Sequence, residues 1–233
     1  MIGSLAHVAV AGLLALAGFS GPAAADDQQR VDQVLAASSL RMLESDFWSV
    51  GPGTQDDDFV SACLGGVDAP GRLAPMPGEV ARGVSNVYLH QPDADARPED
   101  GELVRLAVVV VDAASVSALD WFVVLLGDDD TAECRQDEFL AAAELEPGVA
   151  DFETAVDGDA VADIGIGDRS ARLDLRITFS APGSARQVHY SHLVGRTDNE
   201  LVVLSSATFG PGPFSDFDPE AELAAIVAEL RGT

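Results

Sequence analysis

The chain has 233 residues, with 39 Asp and Glu against 13 basic residues, all of them Arg, and a formal net charge of −26. Such a surface repels nucleic acid and anionic lipid rather than attracting them through released counterions. The absence of Lys also removes the phosphate-loop lysine, Schiff-base chemistry and the Ser-x-x-Lys nucleophile.

Residues 1–25 carry no Asp, Glu, Lys or Arg. Val8 to Phe19 is an apolar run too short to span a bilayer, and Gly21-Pro22 precedes Ala23-Ala24-Ala25, a small-residue processing site. This pattern predicts a signal peptide over residues 1–25, cleaved after Ala25, and an exported, soluble domain over residues 26–233. An uncleaved anchor is the competing reading, because the first residues offer only the α-amine and His7 as positive groups. No Cys stands at the cleavage site to take a lipid, and no later stretch approaches the ~20 apolar residues of a membrane span.

Cys63 and Cys134 are the only cysteines, and an even pair in an exported chain reads as a disulfide. Closing so long a loop stabilises a fold by about 4 kcal/mol in the chain-entropy model. Two free thiols or half of a metal site remain the alternatives, although no His or second Cys lies at ligand spacing from either residue.

In chain order, Arg30 to Leu43 has a helical composition with one apolar stripe, and Gly51-Pro52-Gly53 stands beyond it. Phe59 to Leu64 suits a short element carrying Cys63, and Gly65 to Gly83 reads as a loop. Val84 to Gln91 suits a strand, and Leu103 to Val111, nearly all β-branched or Leu, a central strand buried on both faces. Ser115 to Leu126 predicts a buried helix and Thr131 to Glu144 a second one, ended by Pro147-Gly148. Val149 to Asp163 is hairpin-like. Arg172 to Ser180 alternates strictly, with Leu173, Leu175, Ile177 and Phe179 on the core side. Pro182-Gly183 turns the chain into Gln187 to Arg196, and Thr197 to Glu200 connects that strand to Leu201 to Phe209. Asp218, Pro219, Glu220 and Glu222 start a final helix with a stripe of Leu223, Ile226, Val227 and Leu230. Meandering strands with helices between and after them predict an α+β single domain. Its core is a twisted antiparallel sheet of about five or six strands flanked by helices.

The sequence carries no recognisable catalytic or metal-ligating signature. His189 and His192, three apart on a strand, point to opposite faces and cannot share an ion. Asp157-Gly158-Asp159 starts like a calcium loop, but Val161 and Ala162 stand where an oxygen donor and Gly are needed. Gly165-Ile166-Gly167 lacks the third Gly of a dinucleotide loop, and there is no Gly-x-Ser-x-Gly elbow. No catalytic residue, cofactor or metal is therefore assigned.

The order of several weak motifs resembles the secreted sensor-type domain found outside the membrane in actinobacterial PknH-type Ser/Thr kinases and in exported relatives and lipoproteins. These motifs are a leading helix with Leu40, Met42 and Leu43 running into Ser45-Asp46-Phe47, a Cys before the first strand and another after the middle helix. Ile166-Gly167-Asp168-Arg169-Ser170 then opens a strand, Val194-Gly195-Arg196 and Leu201 to Leu204 follow, and an amphipathic helix closes the chain. The resemblance implies a sheet flanked by helices, a cleft for an unidentified small-molecule or envelope ligand, and no catalytic residues. It also implies a structural turn in which Gly167 places Asp168 to pair with Arg169 or Arg196. The kinase-linked domains carry four Cys in two disulfides where this chain has one pair. The expected function is a non-enzymatic, exported sensor-like or ligand-binding protein; the alternative is a secreted hydrolase whose site is scattered over loops.

Overall fold

A computed structural model describes residues 22–38, 48–51, 63, 75–85, 87–90, 101–145, 153–210 and 217–232. In chain order the elements are α1 (Pro22–Ala37), β1 (Trp48–Gly51), β2 (Glu79–Val84), β3 (Val87–His90) and β4 (Gly101–Val111). There follow α2 (Val116–Leu126), α3 (Asp129–Leu145), β5 (Glu153–Ala162), β6 (Arg169–Ala181), β7 (Ser184–Thr197), β8 (Glu200–Phe209) and α4 (Pro219–Gly232).

Among the described residues, one antiparallel sheet of eight strands runs in the order β1-β3-β4-β8-β7-β6-β5, with β2 also on β4. Two of these strands lie outside the sequence prediction: β1, which adds a strand beyond β3, and β2, formed by Glu79–Val84 largely within the supposed loop. β2 and β3 lie end to end along one edge of β4, pairing Val84 with Ala107 and Tyr88 with Val104. The break between them is held by Ser85: its N–H donates to the Leu106 carbonyl at 2.8 Å and its hydroxyl accepts the Leu106 N–H at 3.0 Å. A side-chain oxygen thus replaces a ladder carbonyl, which is how a strand absorbs an extra residue without leaving a backbone donor unsatisfied. β5 is a single long strand on β6 rather than a hairpin of its own.

Helices cover both faces. On the first, α1 and α4 bury Val31, Val34, Leu223, Ile226, Val227 and Leu230 against Leu106, Val108, Val110, Leu193, Val202 and Leu204. On the second, α2 and α3 place Leu119, Phe122, Val123, Leu126 and Ala132 against Val109, Val111, Leu173, Val194, Leu201 and Val203. β4 and β8 feed both clusters alternately, which is why their sequences read as unbroken apolar runs. Each fully buried Leu or Ile contributes roughly 1.5–3 kcal/mol.

α1 starts at Pro22 and stops at Ala37, earlier at both ends than the sequence predicts. Pro suits the first turn of a helix and Ala favours its continuation, so the small-residue stretch that reads as processing grammar also has helical propensity. The motif Leu40 to Phe47 lies outside the described residues, as do residues 1–21. Cys63 and Cys134 form a disulfide with a Cα separation of 5.7 Å, closing a sequence separation of 71. No described helix is long and apolar enough to cross a membrane.

Candidate functional site

On the face covered by α1 and α4, side chains change character along each strand. β7 runs Leu193, Ser191, His189; β8 runs Leu204, Ser206, Thr208; β4 runs Leu106, Val104, Glu102. The pairing register lines these up in rows across the sheet. One row is Tyr88, Val104, Ser206, Ser191 and Asp174, and the next is His90, Glu102, Thr208, His189 and Arg176. Directly paired residues share a face, so the polar residues form one patch where the apolar floor ends.

α4 roofs this patch with its N-terminal end. Asp218 caps the helix, its Oδ1 accepting the N–H groups of Glu220 at 3.0 Å and Ala221 at 3.1 Å. The helix covers the apolar rows and begins where they give way to polar ones, leaving a cleft of about 280 Å³ between Phe217–Glu220 and the sheet. Its walls are Glu102, Arg172, Asp174, His189, Ser191, Ser206 and Thr208.

A charged row closes one side. Arg172 reaches Asp174 at 2.8 Å and Glu220 at 2.5 Å, so a single guanidinium ties β6 to the roof. Burial raises the Asp174 carboxyl, but the hydrogen bonds from His189 and Ser191 and the charge of Arg172 outweigh it and hold the group below its ordinary value of 3.8. Asp174 is therefore a carboxylate at neutral pH. His189 Nε2 lies 3.5 Å from its Oδ1.

The two histidines take opposite faces. His192 is buried under α3, beside Ser205 at 3.4 Å. Burial first, and then the Arg135 charge, push it down to about 3, against an opposing pull from Asp174, so it stays neutral.

Gly167, Asp168, Arg169 and Arg196 lie at the other end of α4. Gly167 has φ +77 and bridges to Arg196, and the Asp168 N–H donates to the Arg196 carbonyl at 2.7 Å. The Asp168 carboxylate accepts the Asp198 N–H at 2.9 Å, lies 3.5 Å from Arg196 Nη1 and pairs with Arg231 at the end of α4. The Asp198 N–H first, then Arg231 and Arg196, outweigh burial and hold Asp168 below 3.8. Arg169 pairs with Asp120 of α2 at 3.1 Å, and Asp120 also holds Arg196 at 2.8 Å. These residues anchor α4 and α2 to the sheet; none of them lines the α4-roofed cleft.

The cleft residues come from four different strands, and no single strand's pattern reveals them. Strand alternation taken alone gives the polar side of β6 to water, yet Arg172 and Asp174 on that side are half-buried in the cleft. The available signal was the shared switch from Leu to Ser, Thr, His or Glu on alternate positions of neighbouring strands.

No family model matches the chain, and no curated protein matches it. Among solved structures, the chain is similar in fold to the extracellular domain of PknH from Mycobacterium tuberculosis. The sequences are 12% identical, the TM-score is 0.46, and the match covers 88% of this chain and 97% of that one. A second similar structure is LpqN of Mycobacterium tuberculosis, described as involved in cell envelope biogenesis, at 17% identity and a TM-score of 0.27 over 66% of this chain and 76% of that one. The resemblance to the PknH-type extracellular domain is one of fold.

Proposed function

We propose that this chain is an exported, non-enzymatic binding protein of the sensor type that takes a small polar ligand in the cleft beneath the start of α4. The observation that carries the reading is the patch of hydroxyl and charged side chains on an otherwise apolar sheet face, enclosed by Phe217, Asp218, Pro219 and Glu220. Its volume of about 280 Å³ is at the small end for ligand sites and its donors and acceptors converge from four strands. The leader over residues 1–25 supports export.

The hydrolase reading has one observation in its favour, since His189, Asp174 and Ser191 all line the cleft. Their order argues against it. Asp174 accepts hydrogen bonds from both His189 and Ser191, so the carboxylate stands between the histidine and the hydroxyl. A nucleophilic relay needs the imidazole between them, where it can take the hydroxyl proton.

The test is thermal denaturation of residues 26–233 with fractionated small molecules from cell envelopes, in the native sequence and in Ser206→Phe, which fills the cleft. A fraction that raises the melting temperature only of the native sequence supports the reading. Equal shifts in both proteins, or none, remove it. Turnover of a chromogenic ester, glycoside or phosphate that is lost in His189→Ala puts the hydrolase in its place.

A further inference from the structure

α2 is apolar nearly all round. Leu119, Phe122, Val123 and Leu126 face the sheet, while Trp121 and Val124, one turn apart on the outward side, are 54% and 53% exposed. A helix with apolar residues on both faces is ordinarily covered on both, and a Trp in the open is the side chain most often found as an interface anchor. Val124 also lines a groove of about 320 Å³ between α2 and the β5–β6 connection, with Ala162, Asp163, Asp168, Ser170 and the Asp120-paired Arg169 as its other walls. This groove is separate from the cleft roofed by α4.

The charges around the patch are lopsided. Asp128, Asp129 and Asp130 are exposed one turn beyond Val124, and Asp163 is exposed across the groove. The guanidiniums nearby are engaged: Arg169 and Arg196 on Asp120, and Arg231 on Asp168. A second copy of this chain sets the same carboxylates against each other at a net charge of −26, and anionic lipid is repelled for the same reason. A complementary protein segment presents a large apolar side chain between basic residues, the apolar group on Trp121 and Val124 and the cations toward Asp128–Asp130 and Asp163.

We infer that the Trp121–Val124 face of α2 is a docking surface for a protein segment carrying an apolar anchor flanked by Lys or Arg. The test uses Trp48→Phe, which leaves Trp121 as the only Trp, titrated with the peptide Ac-RKLFKR-NH2 and its charge-reversed counterpart Ac-EDLFDE-NH2. A saturable blue shift of emission with the first peptide alone is expected. Adding Val124→Asp is expected to weaken binding at least tenfold although it adds a negative charge; Val124→Ser serves where the Asp variant does not fold. Affinity unchanged by loss of Val124 means that charge alone attracts the peptide and overturns the inference, as does the absence of any shift. A concentration-dependent blue shift without peptide, with doubled mass in sedimentation, assigns the face to a second copy instead. A shift produced by phosphatidylcholine vesicles assigns it to lipid.

Discussion

Gly167 lies so close to the Arg196 carbonyl that a Cβ placed on it meets that oxygen at 2.3 Å, and its φ of +77 is one that side chains rarely adopt. Both facts follow from the bridge that brings the β5–β6 connection onto the end of β7. Gly165, two residues earlier, has φ +79 but nothing within 4 Å of its Cβ position. Gly165→Ala therefore costs only the left-handed strain, about 1–2 kcal/mol, while Gly167→Ala adds displacement of a strand backbone and costs about 3 kcal/mol or more. Urea unfolding of the two variants separates them, and equal losses sink the steric argument.

Glu200 and Arg30 give the fold an unusual pH response. Glu200 is 2% exposed and lies 3.1 Å from Arg30 of α1; burial, the first cause, raises its carboxyl from 4.5 to about 7, against the pull of Arg30 and with Asp198 and Asp27 pushing the same way. The folded state thus holds this proton more tightly than the unfolded chain. The resulting stability is fully present below pH 4.5, fades as pH rises through about 7, and is absent above it. Glu200→Gln removes this dependence. The variant is expected to match the native protein near pH 4 and to exceed it by about 1–3 kcal/mol at pH 8.5. Arg30 keeps its hydrogen bond to the Leu230 carbonyl, so α1 stays docked. A native-minus-variant difference that does not change between these two pH values rules the mechanism out.

The parts of the fold that were legible are those set by local chemistry. Pro182-Gly183 makes the β6–β7 turn with Gly183 at φ +86, and Asp218 caps α4. The alternation of Leu173, Leu175 and Ile177 gives the core face of β6. Cys63 and Cys134 pair because they had no other partner of their kind. The parts that were illegible depend on contacts far apart in sequence. β2 is a strand because β4 offers an unpaired edge, although Glu79 to Val84 also contains Glu, Arg and Gly and shows no clean alternation. The cleft exists because Asp174, Ser191 and Ser206 fall into one row, which no single strand reveals. Asp120 and Arg231 lie 76 and 35 residues from Arg196, and only the packing of α2 and α4 brings all three to one corner.

Reduction of the disulfide is expected to loosen one element more than the rest. α3 buries little of itself, with Thr131 and Ala132 as its fully buried residues among those described, and Cys134 ties it to Cys63, whose N–H donates to Glu138 of the same helix at 3.3 Å. By contrast, α4 is held by four buried apolar side chains and ion pairs at both ends. The double variant Cys63→Ala, Cys134→Ala should lose about 2–4 kcal/mol. In hydrogen exchange, α3 amides should open before those of α4. Uniform acceleration of exchange in both helices contradicts this assignment.

Arg172 joins β6 to the roof of the cleft, and its removal has an electrostatic consequence that can be read at one atom. In the native protein its charge, with the hydrogen bonds from His189 and Ser191, keeps Asp174 below 3.8 despite burial, so Asp174 contributes stability that is present above pH 3.8 and lost as pH falls through its folded value. Arg172→Gln leaves burial less opposed. The Asp174 titration is then expected to move upward, and the acid-side loss of stability to begin at a higher pH, by less than about 1 kcal/mol because the Arg172 side chain is 31% exposed and solvent screens the pair. The same variant removes the guanidinium that Glu220 pairs with, leaving carboxylates on both sides of the cleft, so salt should stabilise it more than it stabilises the native protein. Carboxyl carbon shifts followed across the acid range measure the first effect and melting at low and high salt the second; an Asp174 midpoint that stays put would show that the two hydrogen bonds alone hold it.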